Sequence, residues 1–238
     1  MSLVKHIPNS ITSMNLLCGA MGVVFTLQGR PDIAFPLMLA ATVFDFCDGL
    51  AARLLKAYSP IGKELDSLAD MISFGLLPSI MLLETMRLHG CTCWVSFVPL
   101  FLAVMSGLRL AKFNVDERQS SDFIGVATPT SAMICGSLTY FIFVNPGTFL
   151  DGWAGTPWFL PAVAIVLGLL LVSEIPMFSI KAGGGHKILD AKRIVALCSV
   201  VCAVVLTAVF GLNWSLAVLA IFVFYILENL VLAAFCKR

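Results

Sequence analysis

Residues 33–56 read IAFPLMLAATVFDFCDGLAARLLK, a membrane-crossing length of mostly apolar side chains with two carboxylates, Asp45 and Asp48, set inside it. A bilayer core of roughly 30 Å takes about 20 helical residues to cross. Further apolar stretches of comparable length cover 11–28, 62–86, 92–113, 126–145, 157–180, 194–211 and 214–235, separated by charge, glycine and proline. The 238-residue chain is 59% hydrophobic and only 12% charged. Its mean hydropathy is +0.97, more apolar surface than a soluble core of this size could hide. The runs are continuous rather than alternating, which favours helices over barrel strands and predicts an all-α integral membrane protein of about eight helices. No composition break or long polar linker divides it, so residues 1–238 are read as one membrane-embedded domain.

Charge placement predicts the orientation, because Lys and Arg are retained on the cytoplasmic side during insertion. With both termini cytoplasmic, every Lys and Arg except Arg30 and Arg87 falls on or near that side. Trp94, Trp153, Trp158 and Trp214 then lie near the outer ends of their spans, where amphipathic rings favour the headgroup boundary. Pro8, Asn9 and Thr12 interrupt the place where a cleavable signal would have its apolar region, so the first span is expected to be a retained helix. A net charge of +1, without a basic run interleaved with aromatics, argues against nucleic acid as a partner. The eight cysteines read as free packing thiols, and Cys91 and Cys93 lack companions at zinc spacing. His6, His89 and His186 read as surface or interfacial side chains. Gly183 to Gly185, between Lys181 and Lys192, read as a flexible turn.

Chemistry concentrates in spans two and three. Asp45 and Asp48 are three residues apart and Asp66 and Asp70 four apart, so on helices each pair shares a face. The short turn around Ala57 to Ile61 makes the two helices antiparallel neighbours. Counting from it at about 1.5 Å per residue, the first pair lies roughly 13–18 Å up one helix and the second roughly 7–14 Å up the other. Four carboxylates can therefore converge, although each costs several kcal/mol in hydrocarbon unless it faces protein, water or a cation. Their mutual repulsion opposes full ionisation, and bound cations remove the conflict. Oxygen-only ligands suit Mg²⁺ or Mn²⁺. Gly49, Ala52 and Gly62 remove bulk about one turn away, which admits a nucleotide or permits close helix packing. Arg53 adds a cation suited to phosphate oxygens or to setting topology. Together these residues describe a phosphate-and-metal site. A divalent-cation carrier using the same carboxylates is the rival reading, and the Gly, Ala and Arg spacing argues against it.

The full pattern, Asp45-x-x-Asp48-Gly49-x-x-Ala52-Arg53, eight residues, then Gly62-x-x-x-Asp66-x-x-x-Asp70, resembles the signature of the CDP-alcohol phosphotransferases at every fixed position. Three further stretches are similar to the bacterial and archaeal phosphatidylserine synthases within that family. They are Ile7-Pro8-Asn9 with Asn15 to Gly19, Leu65 to Asp70 with Ser73-Phe74-Gly75, and Arg109 to Asn114. Ser173 to Lys181 is also similar. Phe123 to Thr130 departs from the synthases, which usually carry Gly-Leu-Pro before the second proline.

The resemblance implies a homodimer with six core spans, here with two more, and an active site opening to the cytoplasm. It implies that Asp45 and Asp66 bridge two metal ions, Mg²⁺ or Mn²⁺. Asp48 would complete the first and Asp70 the second, with Asp70 also the general base. It places Gly49, Ala52, Arg53, Ser59 and Gly62 around the CDP portion of CDP-diacylglycerol, joined by Asn9 and Thr12 of the N-terminal element, which also read as ordinary helix caps. Arg109 and Lys112 are candidates for holding the carboxylate of L-serine or, equally, topology-setting cations. The expected reaction transfers a phosphatidyl group from CDP-diacylglycerol to L-serine in a multi-pass cell membrane protein surrounded by lipid. The same chemistry with glycerol 3-phosphate or an inositol phosphate is the nearer alternative.

Overall fold

A computed structural model of the chain describes residues 6–115, 123–177, 211 and 213–235. The expected span 194–211, apart from Gly211 at its end, and the glycine turn lie outside the described residues, as do His186, Arg118 and Cys198, Cys202 and Cys236. Helices α1 (Ile7–Leu27), α2 (Pro31–Leu54) and α3 (Pro60–Asp70) come first, and α3 runs through a π-helical turn (Met71–Leu76) into α4 (Leu77–Leu88). A 3₁₀ turn (Trp94–Phe97) precedes α5 (Leu100–Val115). Then follow β1 (Phe123–Ile124), α6 (Thr128–Val144), α7 (Phe149–Ala154), α8 (Phe159–Val172), β2 (Pro176–Met177) and α9 (Trp214–Phe235). Among the described residues, five helical runs are long and apolar enough to cross a bilayer: Ile7–Leu27, Pro31–Leu54, Pro60–Leu88, Trp94–Val115 and Trp214–Val231. Thr128–Val144 and Phe159–Val172 are shorter apolar helices. The chain is a helical, multi-pass membrane protein.

Local chemistry places the turns between the first three helices. After α1, Gly29 takes φ 72°, and Pro31 at the start of α2 supplies a fixed helical φ where no N–H is needed. Beyond α2, Lys56 enters the left-handed region at φ 49°. There the Ala57 N–H reaches back to Ala52 O at 3.0 Å, closing the helix end. Ser59 then caps α3, its Oγ accepting from the Gly62 N–H at 3.0 Å, with Pro60 following at the first helical position. These features turn α2 back on α3 within six residues and set their acidic faces against one another.

Two apolar clusters hold the helices. In one, Phe35 and Met38 of α2 meet Phe74, Leu77 and Met81. Gly136 of α6 packs so closely there that a Cβ would lie 2.6 Å from the Phe35 ring. Trp214 stacks on Phe35 with ring centroids 5.5 Å apart, so this tryptophan also packs α9 onto α2. The other cluster joins α4, α5, α6 and α8 through residues such as Leu82, Leu102, Leu138, Leu160 and Leu171.

The sixth expected span, 157–180, stops at Val172 instead of continuing. Leu170 O accepts from the Val126 N–H at 3.1 Å and from Ser173 Oγ at 2.8 Å, and β2 then pairs antiparallel with β1. Gly125 makes this crossing possible. It takes φ 77°, and a Cβ there would sit 2.6 Å from Leu171 O. The expected outer loop 146–156 contains helix α7, where His89 Nε2 bonds Asp151 Oδ1 at 2.8 Å and Asp151 Oδ2 accepts from the Gly147 N–H at 2.7 Å. These contacts, the Gly147 N–H first, hold the Asp151 carboxyl below its ordinary value. Cys18, Cys47, Cys91, Cys93 and Cys135 are free thiols.

Candidate functional site

The α2 and α3 faces converge as their spacing requires. Asp45, Asp48 and Asp66 each offer a carboxylate oxygen, and these atoms lie within 4.8 Å of one another. Asp70 is one turn further along α3 and lines a cavity with Asp45 and Asp66.

Helix α1 supports both acidic helices from one side. Its Thr12 hydroxyl donates to Asp48 Oδ2 at 2.5 Å, and its Asn15 Nδ2 donates to Asp70 Oδ1 at 3.3 Å. Close approach is possible because Gly19 faces Ser73 with no room for a Cβ. The π-helical turn brings Ser73 Oγ to within 3.0 Å of Asn15 O. A π turn widens the helix and re-aims side chains, and such turns recur at functional sites. Neither the Asn15 contact nor the π turn follows from the aspartate motif. The available signal was the three-residue spacing of Asn15 from Thr12, which puts both on one face of α1.

Among the described residues, two buried side-chain oxygens have no hydrogen-bond partner, Asp66 Oδ1 and Asn15 Oδ1. A buried acceptor left unpaired costs its full desolvation. At Asp66, beside two more carboxylates, a hard divalent cation would satisfy the open position. The donor set is all oxygen and predominantly anionic, which fits Mg²⁺ or Mn²⁺ and not a thiophilic metal.

Cavities open on two sides of the cluster. Asn9, Thr12, Gly49, Ala52, Ser59 and Gly62 line one of about 220 Å³, together with Asp48 and Asp66. Gly49 is not required by packing, since a Cβ there would meet no atom within 4 Å. Gly62 is crowded. A Cβ would lie 2.9 Å from both Asn9 Oδ1 and Ser59 Oγ, so its small size keeps those polar groups together. The second cavity, of about 290 Å³, is lined by Asp45, Asp66, Asp70 and Arg109, among others. Arg109 is buried, its Nε donates to Val126 O at 2.7 Å, and its guanidinium lies 5.4 Å from the Phe113 ring centroid.

Two of the candidate cations stand apart. Arg53 is exposed, folds back to donate from Nε to Gly49 O at 3.0 Å, and does not line the cavity beside Gly49. Lys112 is also outside both linings, with Nζ 3.8 Å from Glu174 Oε1.

Over 182 residues the chain is 33% identical to the CDP-diacylglycerol–serine O-phosphatidyltransferase of Mycobacterium bovis, a match covering 73% of this chain and 61% of that relative. It is 32% identical over 178 residues to the Bacillus subtilis protein of the same name, covering 72% of this chain and 89% of the relative. With the Saccharomyces cerevisiae protein of that name it shares 34% over 154 residues, 58% of this chain and 54% of the other. The match therefore spans about three-fifths of the length of the mycobacterial relative. Residues 5–170, which contain the four aspartates, both cavity walls and their α1 support, match a defined family along their whole length, and the chain belongs to the CDP-alcohol phosphatidyltransferases.

Proposed function

We propose that the protein transfers the phosphatidyl group of CDP-diacylglycerol to the hydroxyl of L-serine, releasing CMP. The observation that carries this reading is the position of the acidic cluster between two cavities, one lined by the nucleotide-side signature residues and the other by Asp70 and a buried arginine. The relatives named above carry the same activity in their names.

Asp45, Asp48, Asp66 and Asp70 would hold Mg²⁺ or Mn²⁺, two ions in all by family resemblance. When bound, such ions neutralise charge on the pyrophosphate and on the departing CMP. The remaining steps belong to the chain's own residues. Asn9, Gly49, Ala52, Ser59 and Gly62 seat the CDP portion, with Thr12 behind them and Arg53 at the outer edge. A serine hydroxyl is a poor nucleophile at neutral pH, so it needs a positioned base and an aligned phosphorus. Asp70 takes the hydroxyl proton as the serine oxygen bonds to the phosphatidyl phosphorus. The bond from that phosphorus to the CMP phosphate oxygen breaks, the electron pair leaves with CMP, and the proton passes from Asp70 to solvent. Arg109 has no ion-pair partner among the described residues. A buried guanidinium without one is costly, and the carboxylate of serine would supply it, with Lys112 further out on the same helix.

The proposal includes a cytoplasmic opening for the site, a homodimer, and one membrane domain over residues 1–238. Acceptor-dependent CMP release from CDP-diacylglycerol, measured on purified protein with a panel of alcohols, tests the chemistry. Mass spectrometry of the lipid then tests the acceptor. Phosphatidylserine is expected, and phosphatidylglycerophosphate in its place would overturn serine while leaving phosphatidyl transfer intact.

A further inference from the structure

The two cavities share two lining residues, Asp66 and Lys63. Resting on the transfer reading above, we infer that the Lys63 ammonium contacts the phosphate that is transferred, the one bonded to the lipid, and not the phosphate that leaves with CMP. In an in-line displacement the attacking and leaving oxygens lie on opposite faces of the phosphorus. That phosphorus must therefore stand where the acceptor cavity meets the nucleotide cavity. Asp66 is an anion and meets phosphate only through a cation, which leaves Lys63 as the shared wall residue able to bond phosphate oxygens directly.

The neighbouring cations are otherwise engaged. Among the described residues lining the nucleotide cavity, Lys63 is the sole Lys or Arg, since Arg53 folds onto Gly49 O. On the acceptor side, Arg109 is assigned above to the carboxylate of serine, and it lines that cavity alone. Lys63 is itself positioned. Its Nζ donates to Asn114 O at 3.1 Å, and Asn114 Nδ2 donates to Ser67 Oγ at 2.8 Å, fixing the end of α5 against α3. An ammonium has three N–H donors, so this tether uses one and leaves two. Holding a flexible lysine in place also removes rotamer freedom before the ligand arrives. Position 63 falls between the signature residues Gly62 and Asp66, and its charge alone read as a determinant of topology.

CDP carries both phosphates and CMP only the leaving one, so the pair separates the two contacts. Binding of each nucleotide to the purified full chain in detergent with Mg²⁺ would be measured by titration calorimetry for wild type, Lys63→Met and Lys63→Arg. Lys63→Met is expected to weaken CDP about tenfold, the lower end for a hydrogen bond to a charged group, and to leave CMP within about twofold. Lys63→Arg should retain CDP binding within a few-fold, since the guanidinium keeps the charge. Intact CMP binding also reports that Lys63→Met is folded, and if it is not, Lys63→Gln takes the same measurement. Equal weakening of CDP and CMP in a folded variant, or unchanged CDP affinity, overturns the assignment. Wild-type protein that binds both nucleotides but releases no CMP with any alcohol would refute the transfer reading while the Lys63 comparison still stands. Wild-type protein that binds neither would overturn both.

Discussion

Replacing Thr12 with valine removes one hydroxyl and leaves the shape of the side chain nearly unchanged. The hydroxyl has a single hydrogen and two acceptors in reach, Pro8 O at 3.0 Å and Asp48 Oδ2 at 2.5 Å. The shorter contact, to a carboxylate, is the stronger. Asp48 is only 7% exposed, so water does not readily replace the lost donor. A hydrogen bond to a charged group contributes about 1.5–3 kcal/mol, and removing the partner that orients a metal ligand costs about 10–100-fold in affinity. Mn²⁺ binding to purified Thr12→Val protein, followed by electron paramagnetic resonance without substrate, should therefore weaken by at least about tenfold. Thr12→Ser, which keeps the donor, should stay within a few-fold of wild type. CMP affinity at saturating Mn²⁺ should not change. The opposite pattern, with normal Mn²⁺ binding and weakened CMP, would make Thr12 a direct nucleotide contact and refute the argument.

Asp70→Asn should lower acceptor-dependent CMP release by at least about 10²-fold, the usual contribution of a positioned base, while CMP still binds; near-normal turnover at saturating metal would remove the base assignment. Arg109→Gln should raise the KM for serine by about tenfold or more, as expected for loss of a charge-assisted hydrogen bond, with CMP affinity unaltered. An unchanged KM would return Arg109 to a purely structural role. Gly125→Ala should destabilise the protein by about 1–3 kcal/mol, because alanine is strained at φ 77° and its Cβ would strike Leu171 O. A thermal unfolding midpoint equal to the wild type's would show that the β1–β2 crossing adapts without cost.

The convergence of the carboxylates was legible because it depends on local spacing. Asp45 with Asp48, and Asp66 with Asp70, each occupy one helix face, and the short turn around Ala57 to Ile61 makes the two helices antiparallel neighbours. The contacts across helices were less accessible. Thr12 and Asn15 lie on one face of α1, but nothing local says that this face meets Asp48 and Asp70. Within the signature region Arg53 reads as a cation suited to phosphate and Lys63 only as a charge that sets topology, and the packed structure reverses their prominence, turning Arg53 onto its own helix and placing Lys63 at both cavities. The end of α8 was hidden for a similar reason. Residues 173–180 remain largely apolar, and the helix stops through backbone bonds to a segment about fifty residues earlier, anchored by the positive φ of Gly125.

The chemistry of the α1 support follows from what the acidic cluster has to do. A carboxylate in a membrane helix needs a partner, and lysine or arginine would supply the strongest one. Such a cation beside Asp48 or Asp70 would also neutralise the charge that attracts divalent metal. Thr12 and Asn15 are neutral donors, so they orient one oxygen of each acid and leave its charge and second oxygen available. This arrangement is what the proposed cation site requires, whereas in a buried ion-pair network Asp66 Oδ1 would be paired rather than left open. It also explains why the cations of the region stand at the cavities and outer surfaces, where the phosphates and the acceptor carboxylate would enter.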